Sequence, residues 1–186
     1  MITITTTTQP STEVITLDEL KAYVRGDDAD DARFELLRVS SRKVVEQYIA
    51  KSLITQTHRL TIDRLDIRSV MTLWKSPIQS ITSITIYDQD NQAQIYDSSN
   101  YFLHDDRLIF KQNAQFDFAL RVDASMEVLY DAGYGDNPED VPAPVRQAIL
   151  DYAKFIYECN ANAQVTLPDA VRQLLSPYRS NTIFFR

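Results

Sequence analysis

The chain has 186 residues, 44% of them hydrophobic and 24% charged, with a formal net charge of −7; this is an ordinary globular composition, long enough to bury a core without disulfides or metals. One cysteine (Cys159), two histidines (His58 and His104) and three glycines exclude an internal disulfide, a cysteine- or histidine-built zinc site and the glycine-rich loops that cradle nucleotide phosphates. The acidic balance argues against a sequence-specific DNA binder, which presents a basic face. No apolar run approaches the ~20 residues of a membrane span, and Met1–Thr8 lacks the basic-then-apolar order of a signal peptide.

Charge is unevenly distributed. Residues 1–31 carry a net −5, 32–68 a net +4, 69–140 a net −8 and 141–186 a net +2. An acidic middle segment thus lies between mildly basic ones. The first residues, MITITTTTQPSTE, are polar and threonine-rich. Threonine favours extended backbone, but the stretch has too few apolar residues for a core of its own. An extended N-terminal arm is expected over 1–14, disordered alone or held by another surface.

A first helix opens on a capping box, Thr16 with Glu19 three residues on. Leu17, Leu20 and Val24 give it one apolar face, and Gly26 is the expected stop. Asp27, Asp28, Asp30 and Asp31 follow. They lack the central glycine and closing glutamate of a calcium loop and read as a solvated turn with an acidic start to the next helix. That helix is expected over 31–50, with Phe34, Leu37, Ser41, Val44, Val45 and Tyr48 on one face. Arg38, Arg42, Lys43 and Glu46 lie elsewhere on it, and mixed charge reads as a solvated face.

From Leu53 to about Ala132 the period becomes two. Leu60 and Ile62 alternate with polar residues. SITSITIY (80–87), the turn DQDN (88–91) and 92–96 form a hairpin. Short strands follow at 101–103 and 107–110, split by His104, Asp105 and Asp106. A last strand is expected over about 118–130. After Gly133-Tyr134-Gly135 the chain turns helical again. Pro142 and Pro144 suit a first helical turn. Val145, Ala148, Ile149, Tyr152, Ala153 and Ile156 form an amphipathic stripe, and 160–166 is a loop. A short helix from Pro168 buries Val171, Leu174 and Leu175 and ends at Pro177.

Chemistry-bearing residues are sparse. Cys159 follows the helical stripe beside Glu158, a setting that does not favour a thiolate nucleophile. His58 and His104 have no carboxylate partner fixed by spacing, and the adjacent acids Asp105-Asp106 and Glu139-Asp140 read as solvated loop residues rather than a glycosidase pair. Trp74 and the ten tyrosines are spread along strands and helices, as in cores and interfaces. No catalytic, cofactor-binding or metal site is expected.

Four stretches taken in order, LITQTHRLTIDR (53–64), SPIQSITSITIYD (76–88), AGYGDNPEDVPAPVRQAILDYAKFIYE (132–158) and LPDAVRQLLSPYR (167–179), together with the opening ITLDELKAYVRGDDADDARF (15–34), resemble the tailed-phage head–tail connector (adaptor, head-completion) family. The threonine-rich arm and the FFR end match no pattern of that family. The resemblance implies a non-enzymatic virion protein at the portal vertex, assembled in the host cytoplasm. It would form a ring of about twelve copies below the portal protein, extend the DNA channel without reading sequence, and dock the next neck or tail protein.

The expected fold is α+β: a helical bundle with an inserted antiparallel β-module, flanked by extended N- and C-terminal arms. Its adaptor domain spans 15–176, with helices over 15–50 and 141–176 and the β-module over 53–132, followed by a tail over 177–186. Arg38, Arg42 and Arg146 are candidate ring contacts, because two heterologous side faces must meet for a ring to close. Tyr178, Arg179, Ile183, Phe184, Phe185 and Arg186 are candidate portal-binding residues: Pro177 frees the tail, and an exposed Ile-Phe-Phe run needs a partner surface. The rival readings are a stand-alone binding module, for carbohydrate or a tail partner, and a small hydrolase using Asp or His.

Overall fold

The computed structural model describes residues 2–26, 30–63, 70–111, 119–159 and 166–180. The chain forms two compact units, one of Met1–Gln9 with Thr55–Gly133, the other of Pro10–Ile54 with Tyr134–Arg186. The first is built of strands and the second of helices, an α+β composition with the antiparallel β-unit inserted in sequence between helices.

The β-unit contains β1 (Ile2–Thr8), β2 (Gln56–Ile62), β3 (Val70–Thr72), β4 (Ile78–Tyr87), β5 (Ala93–Ile95), β6 (Tyr101–His104), β7 (Arg107–Phe110) and β8 (Met126–Ala132). A five-stranded sheet has the order β1-β2-β8-β4-β5, and a three-stranded sheet the order β3-β7-β6. All pairings are antiparallel. Register follows from the period of two. Ile4, Leu60, Val128 and Ile84 stand opposite one another in one row, and Ile2, Ile62, Met126 and Ile86 in the next. Both rows point to one face, because a slip of one residue would send every isoleucine to solvent. Leu60, Ile84, Ile86, Met126, Val128 and Tyr130 are buried there with Leu108 and Phe110 of β7. The Tyr130 hydroxyl donates to the Trp74 carbonyl at 2.8 Å, which satisfies its one polar atom in the core.

Two strand expectations change. The threonine-rich arm is, over Ile2–Thr8, a full strand of the sheet. The strand read from about 118 starts only at Met126. Ahead of it Leu120 makes a single bridge to Asp88. The Arg121 guanidinium lies 3.8 Å from the Tyr87 ring centre and its Nε donates to the Ala124 carbonyl at 2.8 Å. These contacts close a turn at Ala124, whose φ of 48° is not strand geometry.

The helical unit contains α1 (Leu17–Val24), α2 (Asp31–Ile49), α3 (Ala143–Glu158) and α4 (Asp169–Leu175). The capping box forms as expected: the Glu19 amide donates to Thr16 Oγ1 at 3.1 Å, and the Thr16 amide to Glu19 Oε2 at 2.8 Å. The stop of α1 falls one residue early. Arg25 takes the left-handed conformation, with φ 56°. Gly26 serves packing instead, since a Cβ there would lie 2.1 Å from Phe34 Cζ. Phe34 is fully buried and its ring centre lies 5.0 Å from that of Tyr157. The core joins Leu20, Phe34, Leu37, Val45 and Ile49 to Val145, Ala148, Ile149, Tyr152 and Ala153, with Val171 and Leu175 of α4. The 160–166 loop falls almost wholly outside the described residues.

The solvated-face reading of α2 fails at Arg42 and Glu46, which are buried. Arg42 Nε and Nη2 reach the two Glu13 carboxylate oxygens at 2.7 and 3.2 Å. Its Nη1 donates to Glu46 Oε2 at 2.7 Å, and Glu46 Oε1 accepts the Leu53 amide at 3.0 Å. Burial alone would lower the Arg42 pKa, but the two carboxylates outweigh it and hold the guanidinium more firmly protonated than usual.

Two stability changes are expected in the full chain, both measured by urea unfolding. Glu46→Ala leaves a buried guanidinium half-compensated and the Leu53 amide without its acceptor, for a loss of about 3–5 kcal/mol. Gly26→Ala forces the Phe34 ring to move and should cost about 1–3 kcal/mol.

Candidate interaction surfaces

The three arginines singled out from sequence have different environments. Arg42 is enclosed by Glu13 and Glu46 within its own helical unit. Arg38 sits one turn earlier, with its side chain 20% exposed. It donates to Glu35 Oε2 at 2.6 Å and to the Ile15 carbonyl at 3.3 Å. Arg146, on the first turn of α3, is 26% exposed and pairs with Glu19 Oε1 at 2.8 Å. Arg38 and Arg146 therefore keep surface toward solvent, whereas Arg42 organises the interior.

Of the candidate portal-binding residues, Tyr178 and Arg179 are described, while Ile183, Phe184, Phe185 and Arg186 lie outside the described residues. Tyr178 closes a 3-10 turn, Ser176–Tyr178, that continues from α4 past Pro177 and packs against the helical core. The Arg179 guanidinium lies 5.4 Å from the centre of the Tyr48 ring, and the Ser180 amide donates to the Ile49 carbonyl at 2.8 Å. The chain is thus fastened to the end of α2 up to Ser180.

The chemistry-bearing residues do not converge. His58 is buried in the β-unit, with Nδ1 3.2 Å from Thr6 Oγ1 and its ring centre 5.7 Å from that of Tyr130. Burial and, secondarily, the charge of Lys75 lower its pKa to about 4, against an opposing pull from Asp131. It is a neutral core residue at pH 7. His104 is exposed, 3.8 Å from the equally exposed Asp105. Cys159 caps the end of α3. Among the described residues no group of three or more His, Cys, Asp or Glu is placed to hold a metal ion, and no helix is long and apolar enough to cross a membrane.

The sheet edges were not singled out from sequence. β1 is the outermost strand on one side, and its residues are exposed except for the half-buried Ile4. At the opposite side β5 pairs with β4 only at Thr85, Ile86 and Tyr87, continued by the Tyr96 amide to the Ile84 carbonyl at 2.8 Å. Among the described residues no strand covers β4 from Ile78 to Ser83 on that side. The alternation of Ile2 and Ile4 with threonines was the available signal for β1, hidden by the polarity of the whole stretch.

Comparisons with known proteins agree with this arrangement. The family model described as head completion protein matches residues 13–181. A comparison with curated proteins found no match. Among solved structures, a chain of the virion of the native gene transfer agent (GTA) particle aligns with a TM-score of 0.79 at 20% identity, covering 97% of each chain. A chain from the neck of the empty GTA particle, computed with C6 symmetry, aligns at 0.77 and 21% identity, over 98% of this chain and 97% of that one. One from the neck of the native particle, computed with C12 symmetry, aligns at 0.78 and 19% identity over the same shares. At these identities the likeness is one of fold.

His58 predicts a pH signature. Its folded pKa is depressed, so between pH 6.5 and about 4 the unfolded chain binds a proton that the folded chain refuses, and stability falls as pH falls through that window. Melting temperatures from pH 7 to 4.5 should decline more steeply for the parent protein than for His58→Gln. Equal slopes would show that His58 protonates as easily folded as unfolded.

Proposed function

The chain belongs to the head completion protein family, and on that premise we propose that it is a structural neck protein of a virion. It assembles as a closed ring of about twelve copies beneath the portal, extends the DNA channel and offers its far side to the next neck or tail protein. The observation that carries this reading is the agreement of fold, over 97% or more of both chains, with chains of GTA necks, one of them computed with C12 symmetry. Among the described residues the rival hydrolase reading finds no cluster of groups to work with: His58 is a buried neutral side chain and His104 lies on an exposed turn.

Ring closure needs two different side faces on each copy. Arg38 and Arg146 present partly exposed guanidinium groups, suited to a neighbour's acids at the rim of such a contact. DNA passes without sequence readout in this account: a net charge of −7 avoids the dense phosphate neutralisation that would hold a duplex tightly.

The portal contact is assigned to the end of the chain. Ser180 is tied to Ile49, so the point where the final segment begins is fixed. Ile183, Phe184 and Phe185 supply apolar anchors, each worth about 1.5–3 kcal/mol when fully buried, and Arg186 adds a charge. Tyr178 and Arg179 set where that segment begins. Truncation after Ser180 keeps every described contact of the helical unit. The truncated chain should melt like the parent protein yet fail to co-sediment with portal-bearing capsids. Normal co-sedimentation, or loss of folding, would refute the tail as portal anchor.

A further inference from the structure

Two edges of the five-stranded sheet carry no further strand among the described residues, and they fit each other. We propose that the sheet continues from one copy of the chain to the next, β1 of one copy adding to the stretch Ile78–Ser83 of β4 in its neighbour. The ring then carries a continuous β-band; this rests on the ring reading above.

The first argument is polarity. Each strand in the order β1-β2-β8-β4 is antiparallel to the one beside it, so β1 and β4 run in opposite directions within one copy. Copies related by a rotation about an axis along the strands keep those directions. Bringing β1 of one beside β4 of the next therefore gives an antiparallel pair, with no inversion of either copy. That is a heterologous contact, the kind that closes into a ring.

The second argument is the match of faces. On β1, Ile2 and Ile4 share the core face with Leu60 and Ile62, while Thr3 and Thr5 share the other with Arg59 and Thr61. On β4, register shifts between Ile78 and Ser80 and between Ile81 and Ser83 leave Ile78 and Ile81 opposite the buried Ala132 and Tyr130, and Ser80 and Ser83 opposite Asp131 and Leu129. Joining the edges sets isoleucines beside isoleucines and hydroxyls beside hydroxyls. It also covers Ile2, which is 47% exposed in the single chain.

The third argument is what the edges lack. Sheet edges open to water are blunted by lysines, inward charges or prolines. β1 reads ITITTTT and the stretch of β4 reads IQSITS, with no charge and no proline in either; at the end of the β4 stretch the Ile78 amide is already taken, donating to Asp106 Oδ1 at 3.3 Å, so the open backbone runs from Gln79. Unprotected edges of similar length at the two ends of one sheet are a hazard in a monomer and an interface in an assembly. With β5 sharing its row with the neighbour's β1, each copy contributes four strands, roughly 19 Å at about 4.8 Å each, so about twelve copies close a band roughly 73 Å across by the same spacing.

The test is a disulfide between copies. In a Cys159→Ser background, the pairs Thr5→Cys with Ser80→Cys and Thr3→Cys with Ser83→Cys place thiols on the same exposed face. Rings are assembled on portal-bearing capsids, checked by native mass, oxidised and run without reductant. The expected result is a ladder of covalent multimers up to the full ring for at least one pair, with no cross-linking in the four single variants. Rings that form normally and give no ladder with either pair overturn the β-band and leave the ring reading intact. Dimers from Thr5→Cys alone also overturn it, since they mean β1 pairs with itself about a two-fold axis. Protein that never forms a ring refutes both.

Discussion

The helical unit depends on one buried cation. Arg42 brings together a glutamate from the segment ahead of α1 and another from its own helix, and through Glu46 it reaches the backbone where the chain leaves α2. Taking a guanidinium out of water is costly, and the cost is recovered only when its donors are met with good geometry. Two carboxylates at 2.7 Å meet that condition. An apolar residue of similar volume there would not fix where Glu13 and Leu53 must lie. Their positions set the entry to α1 and the path of the chain just after α2.

The β-unit obeys a simpler constraint. A period of two, interrupted by register shifts in β1 and β4, divides the sheet into an isoleucine-rich core face and a face of threonines, serines and a few charges. Among the described residues the sheet also has two edges that carry no further strand. In a solitary protein this is a defect. In the proposed ring it is economical, because backbone groups left open in the single chain would become the contact surface. The proposed role needs no converging set of titratable groups: what it asks of this chain is shape and edge.

Elements whose burial follows from a single periodicity were legible in the sequence. The stripe from Val145 to Ile156, the face of α2 and the capping box at Thr16 were readable because the local pattern and the tertiary environment agree. The hairpin of β4 and β5 and the short pair β6 and β7 were readable from their turns. Charge on a helix hid Arg42 and Glu46, since nothing local to α2 announces that Glu13 will arrive from 29 residues away. Threonine hid β1 in the same way: its partner β2 lies about fifty residues downstream, and only that pairing turns a polar arm into a strand. The late start of β8 had a local cause, the Arg121 turn, but one that depends on Tyr87 from another strand.

Family membership and the two-unit α+β architecture support the proposed role of a neck protein acting as part of a ring. The most direct measurement is an electron cryomicroscopy reconstruction of the portal vertex in particles carrying this chain, without imposed symmetry in the first pass. The account expects a closed ring immediately below the portal, each copy fitted by the described fold, with the channel running through its centre. Particles in which the chain is absent from that vertex, or present as isolated copies elsewhere on the capsid or tail, would contradict it.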